Sequence, residues 1–209
     1  MSDLEPTVRT ALSRRKERGS YDRDTVFGII DESRICHVGF VHEGHPFVLP
    51  TAHVRVGEAV YLHGALRGRM LGAACAGACL TFTLLDGLVL GRSAMHHSMN
   101  YRSVVLLARG RDVTDRDEKL AALAALVERA VPGRSREVRP PNEAELAATR
   151  VVAFAIEEAS AKIRSGPPVD LASDLEARCW AGVIPLALVA GSPEPDPLLG
   201  AGIAQPPRV

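Results

Sequence analysis

Between Arg34 and His63 the chain falls into three short runs rich in β-branched residues: Arg34 to Val41, His45 to Val54 and Glu58 to His63. They are parted by Glu43-Gly44 and Val56-Gly57. Such runs read as an antiparallel meander, because β-branched side chains pack on a pleated surface and glycine accepts the positive φ of tight turns. Ala78 to Leu85 and Leu88 to Ser93 flank Asp86-Gly87, a dipeptide that predicts a two-residue hairpin turn. Tyr101 to Val113 and Arg150 to Ile163 add two long strands. Each is apolar on both faces in its middle, at Val104-Val105-Leu106-Leu107 and at Val151 to Ile156, which calls for cover inside a barrel or at a subunit interface. The fold class expected is mainly β with flanking helices (α+β), with six or more antiparallel strands in a small closed or half-closed barrel.

The helical segments are fewer. Leu4 to Arg18 has few apolar residues and a basic end, as in a solvated helix before Gly19-Ser20. Asp22 or Asp24 suits the cap of a helix whose apolar face is Val26, Phe27, Ile29 and Ile30. Thr114 with Asp117 opens a longer helix lined by Leu120, Leu123, Ala124 and Val127, and Pro132-Gly133 stops it. A shorter helix starts at Asn142 with Glu145 as its reciprocal cap. Beyond Leu186 the Pro-rich segment around Gly191 to Pro197 reads as a flexible tail. The expected organisation is an N-terminal helix or arm over 1–20, one barrel domain over 21–186 and a tail over 187–209.

Charge and composition narrow the partners. With 25 Lys+Arg against 25 Asp+Glu and only 4% aromatic residues, the chain lacks both the charge and the stacking platforms of a nucleic-acid binder. No apolar run approaches the roughly 18 residues that span a bilayer, and Met1 to Pro6 is acidic where a secretory signal is basic, so a cytoplasmic protein without membrane contact is expected. Cys36, Cys75, Cys79 and Cys179 form no Cys-x-x-Cys pair and read as small buried hydrophobes, leaving no metal site expected. No Gly-rich dinucleotide fingerprint or P-loop follows a strand.

The densest chemical signal is Tyr61-Leu62-His63-Gly64-Ala65-Leu66-Arg67-Gly68-Arg69-Met70-Leu71, a strand that ends in small residues and runs into a helix start with two arginines. Gly64 and Gly68 let a backbone approach a phosphate, and Arg67 and Arg69 offer guanidinium forks; a solvated basic turn is the alternative. His96 and His97 would point to opposite faces if extended, and His37 and His53 fall in strand patterns as structural residues. Arg102 and Arg109 suit interface ion pairs as well as ligand contacts.

Three separated motifs then stand in order. They are His45-Pro46-Phe47-Val48-Leu49-Pro50-Thr51, then Tyr61 to Ala65 with Arg69-Met70-Leu71, then Ser93 to Val105 with its Ser98-Met99-Asn100-Tyr101-Arg102-Ser103 core. With Lys162-Ile163-Arg164, Gly166-Pro167-Pro168 and Trp180 to Pro185, they resemble the flavin-nucleotide-binding branch of the pyridoxamine 5′-phosphate oxidase-like family, which includes nitroimidazole-resistance proteins. The resemblance runs from Arg18 to Leu186. It implies a split β-barrel homodimer with FMN in a groove at the subunit interface. Leu49, Pro50 and Thr51 would lie beside the ring, and His63, Gly64 and Ala65 along the isoalloxazine or ribityl chain. Arg67 and Arg69, with Met70 next to them, would lie at the phosphate. Ser98, Asn100, Tyr101, Arg102 and Ser103 would enter the same groove, and Trp180 would cover the ring from the other subunit.

The function implied is an FMN-dependent oxidoreductase passing electrons from a reduced nicotinamide to a small oxidised substrate, nitroreductase-like, with His63 as the catalytic hydrogen-bond or proton donor. Pyridoxamine-phosphate oxidation itself is disfavoured, since no second basic cluster is present for a substrate phosphate. The alternatives are a non-catalytic flavin carrier or sensor, a deazaflavin-binding barrel, or a heme-binding barrel with His37, His53, His63, His96 or His97 as axial ligand.

Overall fold

A computed structural model describes residues 3–205. Met1 and Ser2, and the end of the expected tail at 206–209, lie outside the described residues. The N-terminal stretch is an irregular arm with a single 3-10 turn at Lys16–Arg18, not the helix expected over Leu4 to Arg18. Leu4 is buried in the core and its N–H donates to the Tyr21 carbonyl, so the arm docks through one apolar anchor and has no amphipathic face. After strand β1 (Gly19–Ser20), Asp22 caps helix α1 (Arg23–Glu32) by accepting from the Thr25 N–H, and Val26, Ile29 and Ile30 seat the helix in the core.

The meander follows as β2 (Cys36–His42), β3 (His45–Thr51), β4 (Val54–Val56) and β5 (Ala59–Ala65), with Glu43 and Gly44 both at positive φ in the β2–β3 turn. A six-residue helix, α2 (Arg69–Ala74), leads to β6 (Ala78–Leu90). Here the expected hairpin at Asp86-Gly87 is corrected, for β6 runs straight through it with an irregularity between Leu85 and Gly87. A Cβ at Gly87 would stand 3.0 Å from the Ile184 carbonyl, so the glycine serves a close strand approach and not a turn.

β7 (Ser98–Ala108) and β8 (Gly110–Asp112) precede α3 (Arg116–Ala130), whose cap is Asp115 and not Thr114. Helix α4 (Glu143–Ala148) carries the full Asn142/Glu145 capping box. The strand expected from Arg150 to Ile163 is two, β9 (Thr149–Ala155) and β10 (Ala159–Arg164), which belong to different sheets. β11 (Gly182–Pro185) closes the order, and 186–205 has no regular structure beyond a few turn residues.

The larger sheet runs β1-β10-β7-β6-β2-β3, with β11 added to the outer half of β6; the smaller runs β4-β5-β9-β8. All pairings are antiparallel. Between the sheets lies the main core, including Val38, Phe82, Leu106, Leu62, Val152 and Phe154. The other face of β9 is covered as well, since Val151 and Ala153 pack with Val113 and Ala122 beneath α3. A second subunit is therefore not required to cover Val151 to Ile156, which removes that argument for dimerisation. No helix among the described residues is long and apolar enough to cross a membrane.

Candidate functional site

β3 is the edge of the larger sheet. Register places its Phe47, Leu49 and Thr51 opposite Phe40, Val38 and Cys36, on the inward face, yet Leu49 stays 37% exposed because no strand lies beyond it. Phe47 stacks on Phe40 at 5.5 Å, and the Arg69 guanidinium lies over the Phe47 ring at 4.5 Å. That cation–π contact brings the start of α2 against the strand that carries Leu49, Pro50 and Thr51. The turn before it is tight: Gly68 N–H donates to the Ala65 carbonyl at 2.8 Å, and a Cβ on Gly68 would stand 2.9 Å from that oxygen. Among the described residues neither Arg67 nor Arg69 has a hydrogen-bond or ion-pair partner, so both forks are open to an anion. With only six residues in α2, the positive charge here is that of the side chains. Met70 faces inward and packs on the core.

His63 lies elsewhere. Alternation along β5 turns Val60, Leu62 and Gly64 towards the core and Tyr61, His63 and Ala65 to the outer face, towards α3. A Cβ on Gly64 would meet Leu71 at 3.2 Å, so the glycine lets α2 close over the barrel. Tyr61 donates to Glu118 at 2.8 Å and Arg111 grips the same carboxylate, which pins α3 to the smaller sheet. Beyond that pin an apolar slot of about 640 Å³ opens, with His63 and Thr149 on its floor and Leu120, Leu123, Val127 and Val138 on its walls. The His63 imidazole has no hydrogen-bond partner among the described residues.

The β7 group forms a third cluster. Arg102 is fully engaged, gripping Asp86 with two bonds (3.0 and 2.8 Å) and Glu32 with two more, which holds its guanidinium firmly charged. Asn100 is buried between Arg164 and the Gly166 carbonyl, and Ser103 donates to the Lys162 carbonyl at 3.3 Å. Tyr101 is half-buried, Ser98 is exposed at the strand start, and Trp180 is 63% exposed. β6 and β2 separate β7 from β3, roughly 14 Å at about 4.8 Å per strand. One chain thus brings Leu49, Pro50, Thr51, Arg69 and Met70 to one edge, holds His63 under α3, and keeps Ser98 to Ser103 apart from both.

His53, just after β3, is 1% exposed and lies edge-on to Phe82 at 4.8 Å. Its Nε2 is 2.9 Å from the Ile30 carbonyl and must carry the proton, which leaves Nδ1 buried without a partner. Burial, the largest cause, lowers its pKa from 6.5 to about 4, and Arg129 adds to the shift. The unfolded chain then binds the extra proton first, so stability is complete above pH 6.5 and falls as pH drops towards 4, by about 3 kcal/mol in all. Urea midpoints measured from pH 7.5 to 4 are expected to show this slope, and His53→Gln to flatten it.

A search of the curated proteins found no match. The pyridoxamine 5′-phosphate oxidase family matches residues 22–163. Among solved structures, the flavocytochrome Anf3 from Azotobacter vinelandii is 40% identical, over 97% of this chain and 95% of that one, with a TM-score of 0.92. The FAD and heme binding protein from Mycobacterium smegmatis is 36% identical over 91% and 94%, with a TM-score of 0.86. A putative 5-nitroimidazole antibiotic resistance protein from Bacteroides thetaiotaomicron is 21% identical over 69% and 86%, with a TM-score of 0.58, a likeness of fold.

Proposed function

Since the chain belongs to the pyridoxamine 5′-phosphate oxidase family and has its split-barrel fold, we propose that it is a flavin- and heme-binding electron-transfer protein. The observation that carries this reading is the apolar slot under α3 with the partner-free imidazole of His63 in its floor. A planar, largely apolar heme fits that lining, and His63 would hold its iron. The flavin would lie at the open edge of β3, beside Leu49, Pro50 and Thr51, with its phosphate on Arg67 and Arg69. Bound together, the two groups supply one- and two-electron redox chemistry, and the protein's part is to bind, orient and keep water from them.

Two relatives above 35% identity are named for flavin with heme, whereas the nitroimidazole-resistance likeness shows the fold alone. The reading of a heme-binding barrel therefore carries more weight than that of a nitroreductase. FAD, named for the mycobacterial relative, is proposed ahead of FMN. A role for His63 as proton donor to a flavin is less favoured, because its side chain leaves the barrel on the α3 face.

A homodimer is proposed on a different surface from the one first expected. The outer face of the larger sheet has Val41 and Val48 well exposed, with Cys79, Thr81, Val105 and Leu107 half-covered on adjacent strands. A second copy on that face would bring the β7 group and Trp180 towards a partner's β3 edge. Sedimentation of the purified protein is expected to give a dimer, and a clean monomer at micromolar concentration would refute it.

The first test is an absorption spectrum of purified protein with mass identification of released cofactors. A Soret band together with flavin bands supports the proposal; flavin alone returns the weight to the nitroreductase-like oxidoreductase using a reduced nicotinamide. For the flavin edge, Arg69→Ala is expected to weaken FMN or FAD by about 10- to 100-fold while leaving riboflavin nearly unchanged, as a charge-assisted phosphate bond of about 1.5–3 kcal/mol requires. Equal loss of all three would show that Arg69 only braces Phe47.

A further inference from the structure

Arg34 and Arg129 meet where the C-terminal ends of α1 and α3 come together. Arg129 donates to the carbonyls of Ile30, Asp31 and Ser33, and Arg34 donates to the carbonyl of Arg129 at 3.2 Å, so each arginine caps a helix end. Among the described residues neither guanidinium makes an ion pair with a carboxylate. The neighbouring acids are committed elsewhere. Asp31 is gripped by Arg55, Glu32 by Arg102, and Glu128 accepts from Gly133 N–H and from Ser135. Burial, the largest cause, pulls Arg129 below the usual arginine range; the Asp31 carboxylate opposes the shift and Arg34 adds to it.

The same junction holds the two buried side-chain atoms that, among the described residues, lack a hydrogen-bond partner, Ser33 Oγ and His53 Nδ1. The Ser33 carbonyl and the His53 ring both lie within reach of the Arg129 guanidinium, the latter at 3.5 Å. A cavity of about 480 Å³ opens there, with Arg34, Arg129 and His53 on one side and Leu126, Leu188 and Val189 on the other. It shares no residue with the His63 slot or with Arg67 and Arg69.

We infer that this cavity is a binding site for a small organic anion, a carboxylate or phosphate monoester on an apolar body, held by Arg34 and Arg129. Two forks without a carboxylate set the charge, the leucine and valine side chains take the apolar body, and the volume exceeds what a bare inorganic anion fills.

The test is calorimetric titration of the purified, cofactor-loaded protein with phenyl phosphate and with benzoate, and with phenol as the uncharged control. Saturable binding of at least one anion with a dissociation constant below about 1 mM is expected, with none for phenol. Arg34→Ala, which removes a side chain making a single hydrogen bond, is expected to weaken binding at least about tenfold. Ala130→Trp, which crowds the cavity from an exposed position, is expected to abolish it. Both variants keep the absorption spectrum of the parent. No saturable binding by about 10 mM, equal binding by phenol, indifference to Arg34→Ala, or release of a cofactor by the anion would each overturn the assignment.

Discussion

His63→Ala is expected to remove the Soret band from the purified protein while leaving its flavin absorption in place. The prediction rests on geometry: His63 sits on the α3 face of β5, whereas Gly64, next along, faces the barrel under Leu71, and the flavin proposed at the β3 edge makes no use of the imidazole. Removing the imidazole takes the one histidine out of the slot's lining, and the remaining, mainly apolar contacts would hold the proposed heme too weakly to retain it through purification. The exposed position and the absence of partners make the substitution mild for folding, with a stability change within about 0.5 kcal/mol. Simultaneous loss of flavin and heme would place His63 in the flavin site instead. A Soret band that survives would move the ligand to another histidine, of which His97, with one ring nitrogen held by the Ser93 carbonyl, is the next to test.

What the sequence carried and what it hid can be traced to particular residues. The β2–β3 meander was legible because Glu43-Gly44 is a true turn and the flanking runs alternate, and the capping box at Asn142 and Glu145 was legible because capping is local chemistry. Asp86-Gly87 misled for the opposite reason. The glycine is needed for the approach of β11, which lies nearly a hundred residues later, and the aspartate is held by Arg102. The break between β9 and β10 was hidden because both halves are equally apolar, and periodicity does not mark a change of sheet.

The same division runs through the site. Arg67, Arg69 and the need for Gly68 follow from a short contiguous stretch, and the structure leaves those guanidiniums open. Arg102 reads equally as an interface ion pair or as a ligand contact, and within one chain it is Glu32 and Asp86, neither adjacent to it in sequence, that grip it. That His63 faces a slot and not the barrel depends on the parity of β5 and on where α3 lands, and no local motif encodes the second. The α1–α3 junction was missed altogether, for Arg34 and Arg129 are about a hundred residues apart and each reads as an ordinary surface charge.

Phe82→Ala is expected to cost about 3–5 kcal/mol of stability, read as a fall in the urea midpoint at an unchanged slope. Phe82 is fully buried in the middle of β6, between β2 and β7, so the vacated ring leaves a hole that the two sheets cannot readily close. Against a typical total of about 5–15 kcal/mol, that loss is a large share. A second consequence separates packing from electrostatics. The ring edge of His53 rests on Phe82 at 4.8 Å, and a cavity there admits water to the orphaned Nδ1. Solvation raises the depressed pKa of His53 back towards 6.5, so the variant should lose less stability between pH 6.5 and 4 than the parent does. A variant that is weaker at every pH but keeps the parent's full acid slope would show that the burial of His53 is set by α1 and Arg129 and not by Phe82.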